Sequence, residues 1–480
     1  MRNDVAALFE PGSFINGQWL SSDSRFAVTN KATGEILTEL ATAGADEMQQ
    51  AIDAANNAFS DWAATPAISR GQLLRKWFEL MTERSDELAE LLTLEQGKPL
   101  AEAKGEIAYG AGYIEWFAEE ARRIDGDILP ANNNGQRIYV TRQPVGVVGA
   151  ITPWNFPNAM ITRKAAAALA AGCTFVVKPA KETPLSALAL AALAKEAGIP
   201  DGVINVVVGT ESRELGKVLT QSPDIAKFSF TGSTQVGKVL TADCTSTMKR
   251  VSMELGGNAP FIVFNDADID AAVAGAMVSK FRNAGQTCVC ANRFLVHEDV
   301  QTEFAEKLSA RITDLKVGNG MDEGTTIGPL INEGAAATVH KLVTSAVAQG
   351  ATLKMGGDWQ QGSFYPPTLL TGVTSDMDIV NEEIFGPVVT ILTFRDDAEA
   401  IALANATEYG LASYFYSQNI SRIHRVADAL QFGMVGINEG AISNPAAPFG
   451  GVKESGYGRE GSKYGLDDYS FIQYRCLGGI

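Results

Sequence analysis

Between Val145 and Glu254 short apolar runs alternate with helical stretches, and this alternation restricts the chain to very few folds. The runs Val145–Ile151, Thr174–Lys178, Val203–Val208, Ile225–Phe230 and Arg250–Met253 read as strands. Asn158–Ala171, Ser186–Ala197, Glu211–Leu219 and Ser233–Ala242 read as the helices between them. Strands that are apolar throughout need cover on both faces, and a helix after each strand supplies it in a parallel sheet. Ligands of such sheets sit beyond the carboxyl ends of the strands. That rule points to the loops holding Trp154–Phe156, Lys178–Lys181, Gly209 and Gly232–Ser233.

The flanks are organised differently. Residues 46–60 and 66–122 are rich in Ala, Leu, Glu, Arg and Lys, and Leu73, Leu74, Trp77, Leu80 and Met81 recur at helical spacing. Long amphipathic helices are expected there, one of them broken at Gly97-Lys98-Pro99. A second mixed α/β region starts at Phe261–Phe264 and continues to about Asn438, with Cys288 in a loop. The stretch Ile124–Arg142 contains Asn132-Asn133-Asn134-Gly135 and reads as a hairpin, and Tyr469–Cys476 reads as a strand. No long linker and no internal repeat is visible.

Charge and cysteine content remove several function classes. With 39 basic against 56 acidic residues the net charge is -17, and no basic footprint for nucleic acid is visible. Five dispersed cysteines do not make a disulfide scaffold, and none has zinc-site spacing, so no metal is expected. The longest apolar stretch, Ala165–Val177, is shorter than the roughly 20 residues a membrane helix needs. No secretory signal is apparent, and the expected location is the cytoplasm, without membrane association.

Two tempting motifs fail. Gly456-Tyr-Gly-Arg-Glu-Gly461 matches G-x-G-x-x-G but has too little chain after it for a dinucleotide fold, and reads as a loop. Gly232-Ser-Thr-Gln-Val-Gly-Lys238-Val239 is nearly a P-loop, but Val239 stands where a magnesium-binding hydroxyl is required. Backbone N–H groups at that helix start could still hold a pyrophosphate.

Three residues stand in suggestive settings. Cys288 lies among Asn283, Gly285, Gln286 and Thr287; Glu254 closes a strand before Gly256-Gly257; Asn155 is gripped in Pro153-Trp-Asn-Phe-Pro157. Taken singly, each has a plainer reading: a small buried hydrophobe, a solvated strand-end carboxylate and a turn residue.

Together these segments resemble the aldehyde dehydrogenase superfamily over essentially the whole chain. The resemblance is carried by Pro153–Pro157, Lys178-Pro179-Ala180, Phe230–Gly232 with Gly237, Glu254–Gly257, Gly285–Cys288, Glu383–Pro387 and Pro448–Gly451, in this order. It implies an α/β fold with three parts. A doubly wound cofactor domain would span 1–122 and 143–254, a related catalytic domain 255–455, and a small β oligomerisation arm 123–142 and 456–480. The arm would join subunits into homodimers or homotetramers.

The resemblance also implies a chemistry. Cys288 attacks the carbonyl; the Asn155 amide and the Cys288 backbone N–H hold the oxyanion; hydride leaves for nicotinamide; and Glu254 activates water to hydrolyse the thioester. The three histidines, His297, His340 and His424, fall outside every motif, which fits a carboxylate base. Trp154, Lys178, Gly209, Gly232, Ser233, Leu255, Glu383 and Phe385 are the expected cofactor contacts. Lys181 replaces the glutamate of many NAD-preferring relatives, which favours NADP, with NAD as the alternative.

Within the superfamily the likeness is to the succinate-semialdehyde dehydrogenases, through Phe156–Lys164, Lys280–Arg293 and Gly458–Gly465. Arg163 and Arg282 then match the substrate-carboxylate clamp, with Ser443 and Phe449 beside it. Glutarate semialdehyde, one methylene longer, is the alternative substrate. Cys290 is a candidate partner of Cys288 in a redox switch. Two rival classes are a cysteine hydrolase without nicotinamide, which lacks a motif-placed His, and a non-catalytic structural protein, which has no use for the triplet Cys288, Glu254 and Asn155.

Overall fold

The computed structural model describes residues 2–479. Its first sheet has a parallel centre in the order Arg250–Glu254, Ile225–Thr231, Val147–Ile151, Thr174–Lys178, Ile204–Val206. From Val147–Ile151 the chain winds outward to Ile204–Val206. It then returns to lay Ile225–Thr231 on the opposite side of its starting strand. The order reverses between those two neighbours, and a crevice opens beyond the carboxyl ends of strands at such a reversal.

The helices between the strands explain the packing. Every residue of Ala159–Ala171 is buried, and its run of alanines lets that helix lie close to its neighbours. Gly172, at φ 94°, ends it in the left-handed conformation that a side chain disfavours. Antiparallel strands edge the sheet: Phe14–Ile15 and Gln18–Trp19 on one side, Gly456–Tyr457 on the other. On sequence the last pair groups with the arm; in the structure it lies against Met253 and Glu254. Glycine permits that approach, because a Cβ at Gly456 would lie 1.9 Å from the Met253 carbonyl oxygen.

The second sheet runs Thr352–Met355, Thr368–Thr371, Val388–Phe394, Ala291–His297, Ala259–Val263, Ala412–Tyr416, Met434–Ile437. All neighbours are parallel except the Thr352–Met355 edge. It is joined to the first sheet through Leu255–Asn258, so strands of the second sheet begin where those of the first end. A third, antiparallel sheet pairs Ser470–Gly478 with Gln136–Pro144, and Asp127–Leu129 completes it. Among the described residues, no helix is long and apolar enough to cross a membrane.

Candidate active site

Cys288 lies in the loop before the Ala291–His297 strand, at the amino end of the second sheet. The approach to it is unusual backbone: Asn283, Ala284 and Gly285 have φ of 51°, 54° and 77°. Gly285 is required twice over, since a Cβ there would also lie 2.2 Å from the Gly386 carbonyl oxygen. A left-handed alanine costs on the order of 1 kcal/mol, so the surroundings must hold it. They do so with hydrogen bonds. Asn283 N–H donates to Glu102 Oε2 at 2.7 Å, Gln286 Nε2 donates to Asn283 O at 3.1 Å, and Ile331 N–H donates to Gln286 Oε1 at 2.9 Å.

Asn155 follows the Val147–Ile151 strand and faces the same cavity as Cys288. Its amide orientation is fixed from both ends. Oδ1 accepts the Phe156 N–H at 3.1 Å, and Nδ2 donates to Gln286 O at 3.0 Å. An amide nitrogen has two hydrogens, so one remains for a ligand. The Cys288 backbone N–H donates to no other group among the described residues. The site therefore offers two free donors beside one sulfur. Cys288 is half-buried and lines two cavities, and burial pushes its thiol up to about 12, with Arg163 partly offsetting this.

Glu254 ends the Arg250–Glu254 strand, buried. Its Oε2 has no hydrogen-bond partner, and Gly450 leaves room beside its Oε1. Burial, and then the nearby Glu460, raise its carboxyl well above the ordinary range. Glu254 is absent from the wall of the Cys288 cavity, although Leu255 and Gly256 form part of that wall. Glu460 is equally buried, yet Arg163 and Lys164, both in ion contact with it, overcome burial and keep it ionised. Of these two carboxyls, Glu254 is the one pushed up by burial and Glu460 the one held down by its cations.

A narrow cleft on the other side of Cys288 is lined by Tyr109, Phe156, Arg163, Arg282, Ser443 and Phe449, among others. Arg163 is fully buried with its guanidinium 4.3 Å from the Phe449 ring centre. Its Nη1 and Nη2 have no hydrogen-bond partner. Arg282 lies over the rings of Phe156 and Tyr109, at 4.7 and 5.9 Å, and makes no ion pair among the described residues. Two guanidinium groups with unused donors next to one thiol are a donor set suited to an anionic group. Cys290, by contrast, is buried, with its single S–H shared between the carbonyl oxygens of Lys280 and Ala291, 3.5 and 3.6 Å from Sγ; all five cysteines are free.

The crevice at the strand-order reversal is large, about 920 Å³, and runs from Trp154 past Lys178 to Ser212 and Asp243. Ser233 caps the helix Thr234–Cys244, and the helix start opens into this crevice with its unpaired N–H groups. Gly232 and Gly237 keep that entrance tight, since a Cβ on either would meet Phe230 or Leu255 at 2.4 Å. Lys178 is buried, which lowers its ammonium to about 8. Lys181 is exposed on the crevice wall beside Glu182. Glu383 accepts the Gly257 N–H at 3.1 Å, burial raises its carboxyl to about 7, and Phe385 packs edge-on against Trp154. Gly209 is the exception: it packs against the Ala43 carbonyl and does not line the crevice.

Sequence reasoning missed a supporting layer. Lys98, Glu106 and Glu460 are buried and Glu102 half-buried against the site, and Ser212, Arg213 and Lys217 line the large crevice. A faint signal existed for two of them. Glu102, Glu106, Tyr109 and Tyr113 recur along one face of the Leu100–Glu120 helix, where polar groups share a stripe with Ala103 and Ile107.

Fold and site together define a two-sheet α/β protein in which a cysteine lines a cavity adjoining the large crevice at the strand-order reversal. The family model described as "Aldehyde dehydrogenase family" matches residues 19–474, and the chain belongs to that family. It is 56% identical to a glutarate-semialdehyde dehydrogenase of Pseudomonas putida, with 98% of each chain covered. It is 55% identical to a 3-sulfolactaldehyde dehydrogenase of Pseudomonas putida, over 99% of this chain and 98% of the other. It is 54% identical to a succinate-semialdehyde dehydrogenase [NADP(+)] of Escherichia coli, over 100% of both. A crystal structure described as an E. coli NADP dependent enzyme superposes with a TM-score of 0.97 at 54% identity, covering 99% of each chain.

Proposed function

We propose that this aldehyde dehydrogenase oxidises a short semialdehyde with an acidic far end, succinate semialdehyde first, using NADP in preference to NAD. The observation that carries this reading is the buried Arg163, whose two terminal nitrogens have no partner, in one cleft with Arg282 and Cys288. A buried unpaired donor costs about 1–3 kcal/mol, which an incoming carboxylate would recover. The relatives' names give further support, because each names an aldehyde that carries an acid group at the other end.

The residues present suit a nicotinamide dinucleotide. Lys178, Lys181, Ser233 and the start of the Thr234–Cys244 helix would hold its adenosine and phosphate end; Glu383, Phe385, Trp154 and Leu255 would frame the nicotinamide end. When bound, the dinucleotide supplies the hydride acceptor. The chain does the rest. Cys288 Sγ bonds to the aldehyde carbon as its proton passes to solvent water, and the carbonyl oxygen takes the charge. Asn155 Nδ2 and the Cys288 N–H, the two free donors, stabilise that oxygen. Once the thioester exists, Glu254 takes a proton from water, which attacks the acyl carbon and releases acid and thiol. Glu254 must first ionise, so this step speeds up as pH rises through its elevated pKa.

We further propose a homo-oligomer, dimer or tetramer, joined at the three-stranded sheet, where Ile128, Ile472, Tyr474 and Leu477 are exposed. A cytoplasmic location is proposed with it, and five free thiols suit a reducing compartment.

The decisive assay measures kcat/KM for succinate semialdehyde, glutarate semialdehyde, 3-sulfolactaldehyde and butanal, each with NADP and with NAD. The expected order puts succinate semialdehyde with NADP first and butanal last. Equal values for butanal and the acids would overturn the clamp; a higher value for another acid would move the substrate while leaving the clamp in place.

A further inference from the structure

The break at Gly97-Lys98-Pro99 does more than separate two helices. Ser85–Gln96 ends at Gly97, with φ 100°, and Leu100–Glu120 begins after Pro99. The link between them is wedged against the second domain. A Cβ at Gly320 would lie 2.4 Å from Lys98 O, one at Gly328 would lie 2.1 Å from Gly97 O, and Leu100 N–H donates to Gly320 O at 2.9 Å. The Lys98 backbone has little freedom to shift.

From this anchor the fully buried Lys98 side chain runs inward. Its Nζ meets three groups: Glu106 Oε2 at 2.5 Å, the Asn155 carbonyl oxygen at 2.8 Å, and the face of the Phe156 ring, 3.8 Å from its centre. An ammonium has three N–H bonds, and all are used. The other Glu106 oxygen accepts N–H bonds from Asn158 and Ala159, at 3.0 and 3.3 Å, where the Ala159–Ala171 helix begins. The Asn155 carbonyl accepts one more bond, from Asn283 Nδ2 at 3.0 Å. That same nitrogen donates to Gln286 O at 3.2 Å, the oxygen that also receives Asn155 Nδ2. The bonds close a ring from Asn155 O through Asn283 and Gln286 back to the Asn155 amide.

A buried ion pair is a weak source of stability, because desolvation offsets much of its attraction. Here the charge holds one particular carbonyl. We propose that Lys98 and Asn283 are positioning residues that clamp the Asn155 peptide and so hold the Asn155 amide where the oxyanion forms. The inference rests on Asn155 being an oxyanion donor, as proposed above. Donors of this kind act through placement, and a displacement of about 1 Å can cost roughly 10²-fold in rate.

The test is the pre-steady-state burst of reduced dinucleotide with succinate semialdehyde. Lys98→Met with Glu106→Gln removes both charges and leaves an amide oxygen for Asn158. Asn283→Gly removes the second donor, and glycine accepts the φ of 51° at that position without strain. Each is expected to slow the burst by about 10- to 100-fold with KM little changed. Added to Asn155→Ala, each is expected to cost no more than about a further twofold, since a clamp has nothing left to place. A parental burst rate in either folded variant, or losses that multiply with those of Asn155→Ala, overturns the clamp. A slow Asn155→Ala enzyme beside fast clamp variants sinks the clamp alone. An unimpaired Asn155→Ala enzyme removes the oxyanion role and the clamp with it.

Discussion

The two sheets meet at the site with opposite ends. The first contributes residues at and beyond the carboxyl ends of its strands: Trp154 and Asn155, Lys178, Ser233, Glu254. The second contributes residues ahead of its strands: Cys288 before Ala291–His297, and Glu383 and Phe385 before Val388–Phe394. The carboxyl ends of the second sheet carry a different structure, in which Asp266 binds Ser417, Asn419 and Arg422 away from Cys288. The rule that directs attention to strand carboxyl ends therefore finds the crevice of the first sheet and passes over the Cys288 loop of the second. Under the proposed function, recognition of a dinucleotide falls to the first half and bond making to the second, with Asn155 and Glu254 crossing the divide.

Substitutions can break or sharpen that division. Cys288→Ala should lower aldehyde oxidation by at least about 10⁴-fold while leaving dinucleotide affinity, read from calorimetric titration, within about twofold. Turnover near the parental rate would end the assignment of bond making to the second sheet. Glu254→Gln should lower steady-state kcat by about 10²- to 10³-fold yet retain the burst, because only hydrolysis needs the carboxylate. The rise of kcat with pH should flatten in that variant; loss of the burst would move Glu254 into the first chemical step. Arg282→Ala should raise KM for succinate semialdehyde by about 10- to 100-fold and leave butanal nearly unchanged, and equal effects on both would reject the anion clamp. Lys181→Glu, on the exposed wall of the crevice, should shift the NADP-to-NAD ratio of kcat/KM by only about tenfold toward NAD. An unchanged ratio would move the choice of cofactor to other groups on that wall, Arg213 and Lys217 first.

The same division explains what could be read from the sequence. Alternating strands and helices between Val145 and Glu254 located the first sheet to within a few residues, and the carboxyl-end rule then led to Trp154, Lys178 and Ser233. The rule also led to Gly209, which the crevice does not use; the chain bends there against Ala43, a contact 166 positions back that no local pattern encodes. For the second sheet no such rule pointed to Cys288 or Glu383, and family motifs did. The supporting layer stayed hidden for a related reason. Lys98 meets Asn155 across 57 positions, and Lys164 meets Glu460 across 296. Local spacing records helices and turns, whereas these contacts arise only when distant segments pack.

The burial of the Cys288 thiol has a consequence for the idle protein. Burial pushes the thiol up to about 12, which disfavours the thiolate. Peroxides and stray electrophiles react with thiolates far faster than with thiols. Burial that raises the thiol therefore also blunts its reaction with such reagents, so the setting that makes Cys288 slow to ionise makes it slow to oxidise.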